Sequence, residues 1–427
     1  MGQGVLTAGF TRRADALHCD EVPAARIAEA AGTPVFVYSA GVVRERVARL
    51  RTALEGVPHR IHYALKANAN RGLLRVLRDL GCGVDVVSGG ELYRAQQAGF
   101  TGKEIVFGGV GKTRQELGDA LAAGVRLINV ESEAELRLLA ALAVERGVTA
   151  PVGLRVNPEV DVHNAHHYIA TGSRGHKFGI ALDDALAVGR AALSLEGVAL
   201  VALDMHIGSQ LHSFEAYRQG AARLVELAQA LRSAGAPIRW LDVGGGLPVP
   251  YAGEEEPDLA GYGAILGEAA RALGDVEMVV EHGRYLVAAS GVLLTRVLYR
   301  KENAGTTYVI CDAGMTELLR PSHYDAFHRI EPVTATAGEI VADIVGPVCE
   351  SGDFLALDRT IGAVVPGDLL AVHTAGAYGY VMGSQYNARP RAAEVLVDGA
   401  RWAVVTARES YEDLVRLESS TPRWMEE

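Results

Sequence analysis

The sequence predicts an α/β fold: a closed (β/α)8 TIM barrel followed by a mainly antiparallel β domain. Between residues 60 and 284, eight short apolar, β-rich runs alternate with amphipathic helical segments, which is typical of a parallel sheet with helical crossovers. Beyond about residue 285, short strands follow one another with Gly, Pro or Asp turns between them. Eight βα units suit a closed barrel. The alternative, an open doubly wound sheet, usually has a glycine-rich turn after its first strand. In this chain the first predicted strand ends in Lys66 instead.

These runs give the expected element boundaries. Barrel strands are predicted at 61–65, 84–87, 105–107, 127–130, 152–156, 200–205, 240–243 and 278–281. The helices between them are predicted at 90–98, 114–123, 133–146, 183–193, 214–233 and 259–273. The later strands are predicted at 292–299, 307–311, 340–345, 369–373, 394–397 and 402–405. We therefore expect a barrel domain over residues 33–286 and a β domain that joins residues 1–32 to residues 287–427.

The composition excludes several classes of protein. The chain has 427 residues, a net charge of -11 and a pI near 5.7, which argues against nucleic acid or an anionic membrane as a partner. No run reaches the roughly 18 apolar residues of a membrane span, and the N-terminus lacks the apolar segment of a signal peptide. The scattered cysteines predict neither a disulfide framework nor a zinc site; they are Cys19, Cys82, Cys311 and Cys349. We therefore expect a cytoplasmic protein.

Lys66 closes the first barrel strand in the segment RIHYALKAN. A lysine buried there has a lowered pKa and a free amine, which suits a Schiff base with an aldehyde cofactor; the alternative is a lysine whose amine reaches solvent. Further polar or flexible residues follow later strands, whose carboxyl ends meet at the mouth where barrel enzymes work. These residues are Asp85, Ser88, Asn157, His206, Ser209, Gly244, Gly245, Gly246, Glu281, Gly283 and Arg284.

Several of these residues suit an aromatic, phosphorylated cofactor. Glycine loops after strands seven and eight offer backbone N–H groups to a phosphate, although a tight turn is the alternative for Gly244 to Gly246. Arg284 adds a cation. Glu281 is placed either to keep a pyridine nitrogen protonated or to form an ordinary ion pair. The flat ring of His206 either stacks on a cofactor or is structural.

The rest of the chain adds three candidates. Cys349, in the turn segment GPVCESGD, is either an exposed reactive thiol or a small buried residue. Glycines around Tyr378, in residues 375–390, suit a loop that closes over a ligand. A cluster of three histidines has metal-like spacing but no supporting carboxylate frame, so no metal is predicted; the cluster consists of His163, His166 and His167.

Twelve segments resemble the fold-type III pyridoxal-phosphate decarboxylases, and within them the branch that acts on diaminopimelate. They are YALKAN, DVVSGGEL, FGGVGKT, NVESEAEL, LRVNPEVD, HKFGI, DMHIGSQ, LDVGGGLPVPY, E-x-GR, RPSHYDA, GPVCESGD and AGAYGYVM. In this order they run from about residue 35 to residue 390, which is most of the chain. Alanine racemases and eukaryotic ornithine decarboxylases share the barrel and the lysine, but not the combination of RPSHYDA and CESGD.

The resemblance implies a role for each candidate. Lys66 matches the Schiff-base lysine of pyridoxal 5'-phosphate, His206 the ring-stacking residue and Glu281 the partner of the pyridine nitrogen. The other expected cofactor contacts are Asp85, Ser209, Gly245, Gly283, Arg284 and Tyr378. The expected substrate contacts are Arg284, Arg320 and Tyr324 for a carboxylate, Glu350 for a distal ammonium, and Tyr378. Cys349, the implied proton donor, and Glu350 would come from the second subunit of a homodimer.

The implied reaction is the decarboxylation of meso-2,6-diaminopimelate to L-lysine and carbon dioxide, the last step of lysine biosynthesis. One alternative is a decarboxylase of the same fold that acts on D-ornithine, D-lysine or a carboxy-polyamine. Another is a cofactor-binding homologue without activity. The sequence departs from the family at His282, where proline is usual. A histidine in place of proline adds one backbone N–H and lets the loop adopt more conformations, but it removes none of the expected chemical groups.

Overall fold

The computed structural model describes residues 9–160, 177–421 and 424–425. It has two compact units: Ala40–Ala289 forms one, and the described residues up to Ser39 join those from Ser290 onward in the other. The three histidines considered as metal ligands lie outside the described residues. Within the described part, no helix is both long enough and apolar enough to cross a membrane.

The N-terminal segment belongs to the second of these units. Its elements are β1 (Phe10–Arg13), β2 (Ala16–Cys19), β3 (Val22–Pro23), α1 (Ala24–Ala31) and β4 (Val35–Ser39). The first three strands form a small antiparallel sheet, whereas β4 pairs with two strands from the C-terminal part of the chain. The chain therefore divides at Ser39 and Ala289 instead of the expected residues 32 and 286.

The other unit is the predicted barrel. Its strands are β5 (His59–Ala64), β6 (Gly83–Val86), β7 (Ile105–Phe107), β8 (Leu127–Val130), β9 (Ala150–Asn157), β10 (Ile180–Ala181), β11 (Val198–Asp204), β12 (Trp240–Asp242) and β13 (Glu277–Val280). Eight of them form a parallel ring in the order β9, β11, β12, β13, β5, β6, β7, β8, which closes where β8 pairs with β9; the short β10 adds to β9. The predicted fold class is confirmed.

The six predicted barrel helices are present between the strands, and the unit has three further helices that the sequence analysis missed. Together they are α2 (Ala40–Ala53), α3 (Arg71–Asp79), α4 (Gly89–Gln97), α5 (Arg114–Ala123), α6 (Glu133–Glu145), α7 (Leu182–Leu193), α8 (Glu215–Ser233), α9 (Leu259–Leu273) and α10 (Arg284–Val287). The missed helices are α2, α3 and the single turn α10.

Hydrogen-bonded caps begin the helices soon after the strands end. The side chains of Ser88, Thr113 and Ser132 each accept the backbone N–H of the residue three positions later, at 3.2 Å. An oxygen acceptor at this position satisfies a helix N–H that has no intrahelical partner. The caps of α4, α5 and α6 thus keep the connecting loops short, and the carboxyl ends of the preceding strands stay accessible at the barrel mouth.

The second unit is mainly antiparallel, as predicted. Its C-terminal elements are β14 (Gly291–Asn303), β15 (Thr306–Cys311), α11 (Arg320–Tyr324), β16 (Ile330–Pro332), β17 (Glu339–Val345), β18 (Phe354–Gly362), β19 (Leu369–Val372), β20 (Ala393–Asp398), β21 (Arg401–Thr406) and α12 (Tyr411–Val415). The sheet order is β18, β17, β15, β14, β4, β20, β21, and β19 links β14 to β16. Two pairs, β15–β17 and β4–β20, are parallel. The sequence analysis missed β16 and β18.

Candidate active site

Lys66 lies just beyond the end of the first barrel strand. Strand β5 ends at Ala64, and Leu65–Ala67 forms a single 3-10 turn that carries the lysine. The ammonium nitrogen Nζ lies 3.6 Å from Oδ2 of Asp85, whose side chain is only 2% exposed. The Lys66 side chain itself is 37% exposed. The condition of a buried lysine is therefore not met, and the carboxylate of Asp85, rather than burial, holds the amine in place.

A narrow cavity joins this lysine to the ends of several other strands. It is lined by Lys66, Asp85, Val87, Gly108, Gly109, Asn129, Arg155, Asp204, His206 and Glu281. The structure therefore brings together four predicted residues, namely Lys66, Asp85, His206 and Glu281. Ser88 and Asn157 do not line the cavity: Ser88 caps α4, and Asn157 accepts the backbone N–H of Glu159.

Three buried carboxylates form the floor of this region. Asp204, Asp242 and Glu281 each place a carboxylate oxygen within 4.8 Å of the others. Burial, followed by repulsion from Asp242 and Asp85, raises the pKa of Glu281 well above its usual range. Burial likewise raises the pKa of Asp242, to about 7, although a hydrogen bond with Glu281 opposes this shift. The cluster therefore retains protons near neutral pH unless a cation joins it.

Arg155 is the buried cation on one side of this cluster. Its Nη1 donates to Oε1 of Glu131 at 2.6 Å, and its Nε lies 4.0 Å from Oδ2 of Asp204. Burial lowers the pKa of Arg155, but Asp204 and Glu131 raise it more, so the net shift is upward. Sequence analysis missed Arg155, Asp204 and Asp242. Each is the only charged residue of its barrel strand: Arg155 lies inside β9, and the two aspartates end β11 and β12. A buried charge in such a strand is costly unless it is paired.

His206 is a neutral ring fixed by the glycine loop. The backbone N–H of Gly245 donates to Nδ1 of His206 at 3.2 Å. Burial, followed by the charges of Lys66 and Arg155, lowers the pKa of His206 well below its usual range. The neutral imidazole therefore carries its proton on Nε2, because Nδ1 accepts a hydrogen bond.

The glycine loop after β12 has no room for side chains. A Cβ on Gly245 would lie 2.5 Å from the carbonyl oxygen of Glu281, and Gly246 has a φ of +117°. The N–H of Gly244 donates to Asp242, and the N–H of Gly245 donates to His206. Two of the three glycine N–H groups thus orient the side chains of Asp242 and His206. A contact between Gly245 and a phosphate stays a prediction.

Arg284 and Ser209 meet beside this loop. Nε of Arg284 donates to the Ser209 hydroxyl at 3.1 Å, and Nη1 donates to the Tyr251 hydroxyl at 3.1 Å. Gly283 precedes Arg284, and a Cβ there would lie 2.9 Å from the carbonyl oxygen of Ala64. The guanidinium and the serine hydroxyl therefore form a compact set of anion-binding donors on the same rim.

His282 occupies a buried position behind the glycine loop. Its Nε2 lies 3.0 Å from the hydroxyl of Tyr262, and burial lowers the pKa of His282 to about 3. The ring of Tyr262 packs edge-on against Tyr217, whose hydroxyl donates to the carbonyl of Gly245. The loop freedom expected from the loss of proline is thus opposed by a chain of aromatic contacts that ends on the loop.

The second unit carries the remaining predicted residues. Arg320 is buried at the start of α11, and its Nη1 donates to Nε2 of His328 at 2.9 Å. Nδ1 of His328 donates in turn to the carbonyl of His373 at 2.8 Å. His328, which the sequence analysis missed, is therefore a neutral acceptor that orients the guanidinium. Tyr324 ends the same short helix and is half-buried.

Cys349 and Glu350 are both exposed at the tip of a turn. The buried Asp353 holds this turn, because its Oδ2 accepts the N–H of Val348 at 2.5 Å and its Oδ1 accepts the N–H of Met315 at 2.6 Å. The structure therefore favours the exposed thiol over the buried alternative. It also assigns Asp353, missed by the sequence analysis, to presenting the two side chains outward.

Tyr378 has a backbone conformation that is rare for a residue with a side chain. Its φ is +53°, in the left-handed region, and the residue is half-buried. Such a conformation costs free energy and persists where the surroundings impose it, often at ligand sites. The position is consistent with the predicted ligand contact of Tyr378.

The fold and the barrel mouth define a class of enzyme. A parallel barrel whose mouth combines a lysine, a neutral histidine, a glycine loop and a buried carboxylate is equipped to hold an aldehyde cofactor. Residues 40–288 match the model of the pyridoxal-dependent decarboxylases, pyridoxal binding domain. The chain belongs to this family, and its cofactor is pyridoxal phosphate.

Individual relatives cover nearly the whole chain. A diaminopimelate decarboxylase from Pseudomonas aeruginosa is 46% identical over 97% of this chain and 99% of its own length. The crystal structure of diaminopimelate decarboxylase from Helicobacter pylori complexed with L-lysine is 38% identical, covers 92% of this chain and 98% of that one, and has a TM-score of 0.89. Lysine decarboxylase from Selenomonas ruminantium is 25% identical over 88% and 94%, with a TM-score of 0.78.

The carboxylate cluster fits this cofactor better than it fits a metal ion. Oε1 of Glu281 is buried and has no hydrogen-bond partner among the described residues. A protonated pyridine nitrogen supplies the donor that this oxygen lacks and the positive charge that the cluster needs. Three clustered carboxylates also suit a hard cation, but Arg155 already provides a cation beside Asp204. We therefore keep the prediction that no metal binds.

We expect Asp242→Asn to change how stability depends on pH once the cofactor has been removed. The folded protein keeps the Asp242 proton to about pH 7, whereas an unfolded chain loses it near pH 4. The unmutated protein therefore loses stability as the pH rises from about 4 to 7, by on the order of a few kcal/mol. The variant lacks this loss, so its stability relative to the parent should increase as the pH rises from about 4 to 7 and then stay constant.

Urea unfolding of the apoenzyme at several pH values measures this difference. The exposed Asp79→Asn variant, made by the same substitution, serves as the control and should follow the parent. A constant difference between Asp242→Asn and the parent over the whole range would show that Asp242 is ionised throughout.

Proposed function

We propose that this chain decarboxylates meso-2,6-diaminopimelate to L-lysine and carbon dioxide. The similarity to diaminopimelate decarboxylases over almost the entire chain carries this proposal, because one of them was crystallised with L-lysine. The barrel mouth supplies the groups that such a reaction needs. The enzyme class is a carboxy-lyase that uses pyridoxal 5'-phosphate.

The barrel residues hold and orient the cofactor. When bound, it accepts the electron pair that the departing carboxylate leaves on the α-carbon. Glu281 would hold the proton of the pyridine nitrogen, and the neutral ring of His206 would stack on the cofactor face. Ser209, Gly245, Gly283 and Arg284 would hold its phosphate, and Asp85 keeps the amine of Lys66 within the cavity.

Lys66 and Cys349 handle the covalent step and the final proton. Nζ of Lys66 would hold the cofactor aldehyde before substrate arrives, and it would be available as an amine in the cavity once the substrate amine has displaced it. The bond between the α-carbon and its carboxylate breaks, and carbon dioxide leaves. Sγ of Cys349 delivers the proton that replaces it. The residues that hold the substrate carboxylates would select decarboxylation by orienting the bond that breaks, which is a matter of positioning.

We expect borohydride to fix the cofactor covalently on Lys66. Peptide mapping of the reduced enzyme should find the pyridoxyl group on the peptide that contains this residue. Lys66→Ala should lose both the label and carbon dioxide release, because no other amine lies in the cavity lining. Lys112→Ala is the matched control, since the buried Lys112 ammonium pairs with Glu135 at 2.7 Å outside this cavity. A label on Lys112 or Lys177 would refute the assignment.

We infer that the working form is a cytoplasmic homodimer whose active sites are shared. Cys349 and Glu350 are exposed in this chain, and a proton donor on a surface turn acts only where another surface covers it. A two-fold dimer satisfies this requirement twice by symmetry. Closure also keeps stray water from protonating the reacting carbon. The four free cysteines support a reducing compartment such as the cytoplasm.

Mixed dimers test this arrangement. Inactive Lys66→Ala and inactive Cys349→Ala chains, mixed in equal amounts, should regain about one quarter of the parental activity, because half of the dimers are mixed and each keeps one complete site. The control mixes Lys66→Ala with Glu281→Ala. These changes fall in the same barrel, so no mixed dimer has a complete site. Equal activity in both mixtures, after verified subunit exchange, would argue for sites built from single chains.

The distal end of diaminopimelate explains the remaining polar residues. It carries a second carboxylate, which suits Arg284, Arg320 and Tyr324. It also carries a second ammonium, which suits Glu350. Lysine and ornithine lack the second carboxylate and would leave buried cations unpaired. This costs on the order of several kcal/mol, which corresponds to a preference of about a thousandfold or more.

We therefore expect a strong preference for meso-diaminopimelate over D-lysine and D-ornithine in kcat/KM. Arg320→Ala should narrow the gap by lowering kcat/KM for diaminopimelate by about a hundredfold while changing the value for D-lysine much less. The exposed Arg300→Ala is the control, and thermal unfolding checks that loss of the His328 contact leaves the fold intact. Comparable kcat/KM for D-ornithine and diaminopimelate in the unmutated enzyme would favour the alternative decarboxylases.

A further inference from the structure

A second polar cavity lies at the other end of the barrel strands. Its volume is about 250 Å³, and it is lined by Arg51, His59, Arg60, Ile61, His62, Gly81, Cys82, Gly83, Lys103, Glu104 and Arg126. Most of these residues lie at or just before the amino ends of β5, β6, β7 and β8; Ile61 and His62 lie further along β5, and Arg51 belongs to the last turn of α2. His62, the lining residue of β5 that lies nearest to Lys66 along the chain, precedes it by four residues, which corresponds to roughly 13 Å of extended strand. The cavity is separate from the proposed cofactor site.

The lining is strongly cationic. It has four permanent cations, Arg51, Arg60, Lys103 and Arg126, but only one carboxylate, that of Glu104. This carboxylate is already used, because its Oε2 accepts both the N–H and the hydroxyl of Thr101 at 2.7 Å. Glu277, just outside the lining, pairs with Nε of Arg60 at 2.8 Å. Positive charge therefore exceeds negative charge around the cavity.

Two of the cations, Arg60 and Arg126, are held in place by contacts of Nε that leave other guanidinium N–H groups available. Nε of Arg126 donates to the carbonyl of Lys103 at 2.6 Å, and its guanidinium lies 5.8 Å from the ring centre of Trp240. Burial, followed by repulsion from Arg60, lowers the pKa of Arg126. Within the described residues, the Lys103 ammonium makes no hydrogen bond or ion pair. Fixed cations that repel one another across a concavity are the electrostatic complement of an anion.

His62 adds a buried imidazole to the cavity lining. The residue is 1% exposed, and its Nδ1 has no hydrogen-bond partner among the described residues. Burial, followed by the charges of Arg126 and Arg60, lowers the pKa of His62 to about 3, so the ring is neutral. Gly83 makes room for it, because a Cβ there would lie 2.5 Å from Cδ2 of His62. A buried polar atom without a partner is costly, and a ligand relieves that cost.

We propose that this cavity binds a small multivalent anion of the phosphate class. Arg60, Lys103 and Arg126 supply charge and N–H donors, and His62 supplies a neutral contact at the base. The site is concave, and the chain as a whole is acidic, so a compact anion fits it better than an extended polyanion. Because the lining connects four successive strands, an occupant joins their amino ends and stabilises the folded barrel.

Calorimetric titration of the holoenzyme with inorganic diphosphate tests the proposal. Saturation with pyridoxal phosphate keeps the titrant from the cofactor's own phosphate contacts. In phosphate-free buffer of low ionic strength, we expect one diphosphate per chain, and a higher melting temperature in its presence. Lys103→Gln and Arg126→Gln should each raise the Kd at least tenfold, whereas Arg114→Gln, an exposed arginine on α5, should leave it unchanged.

The outcomes separate a built site from nonspecific attraction. Lys103 is exposed, so its replacement leaves the fold intact even if Arg126→Gln is destabilised. Equal Kd values for the parent, Lys103→Gln and Arg114→Gln would overturn the proposal, as would the absence of saturable binding to the parent. These results do not depend on the substrate, because decarboxylase activity is not the readout.

Discussion

The burial of Glu281 beside Asp204 and Asp242 is the constraint on which the barrel mouth depends. Three carboxylates so close together cannot all ionise in a buried site without compensating charge. Arg155 compensates on one side through Glu131 and Asp204. On the other side, Oε1 of Glu281 has no hydrogen-bond donor among the described residues, and the cluster lacks a second positive charge. A protonated heteroaromatic nitrogen would supply both. In the proposed cofactor site, the affinity for the cofactor and the electronic state of its ring would therefore have one physical origin in this cluster.

The glycine loop transmits this constraint to the rest of the site. Asp242 accepts the N–H of Gly244, and His206 accepts the N–H of Gly245. The loop thus sets the tautomer of the proposed stacking residue and the orientation of one member of the acid cluster. His282 supports the loop from behind through Tyr262 and Tyr217. The replacement of the usual proline therefore exchanges backbone stiffness for a packed aromatic contact.

The sequence predicted the barrel and its motif residues because both leave local signals. Alternating strands and helices set the closed ring, and Lys66 and Glu281 stood out as charges at strand ends. Arg155 was missed because it lies within a strand, where apolar neighbours dominate the pattern. Asp204 and Asp242 end β11 and β12, but the apolar runs before them drew attention away from a single terminal charge. Residues 33–39 were assigned to the barrel domain, and the strand β4 within them was not predicted, because its pairing with β14 and β20 involves residues more than 250 positions away. Such long-range pairing has no local sequence signal, and neither does the hydrogen bond between Arg320 and His328.

Nuclear magnetic resonance of the holoenzyme loaded with ¹⁵N-labelled pyridoxal phosphate tests the central claim most directly. The account predicts that the ring nitrogen is protonated in the unmutated enzyme up to a pH of about 8, and that Glu281→Gln shifts its resonance to that of the unprotonated ring. An unprotonated nitrogen in the unmutated enzyme, or the same resonance in both proteins, would contradict the role assigned to Glu281 and its buried carboxylate neighbours.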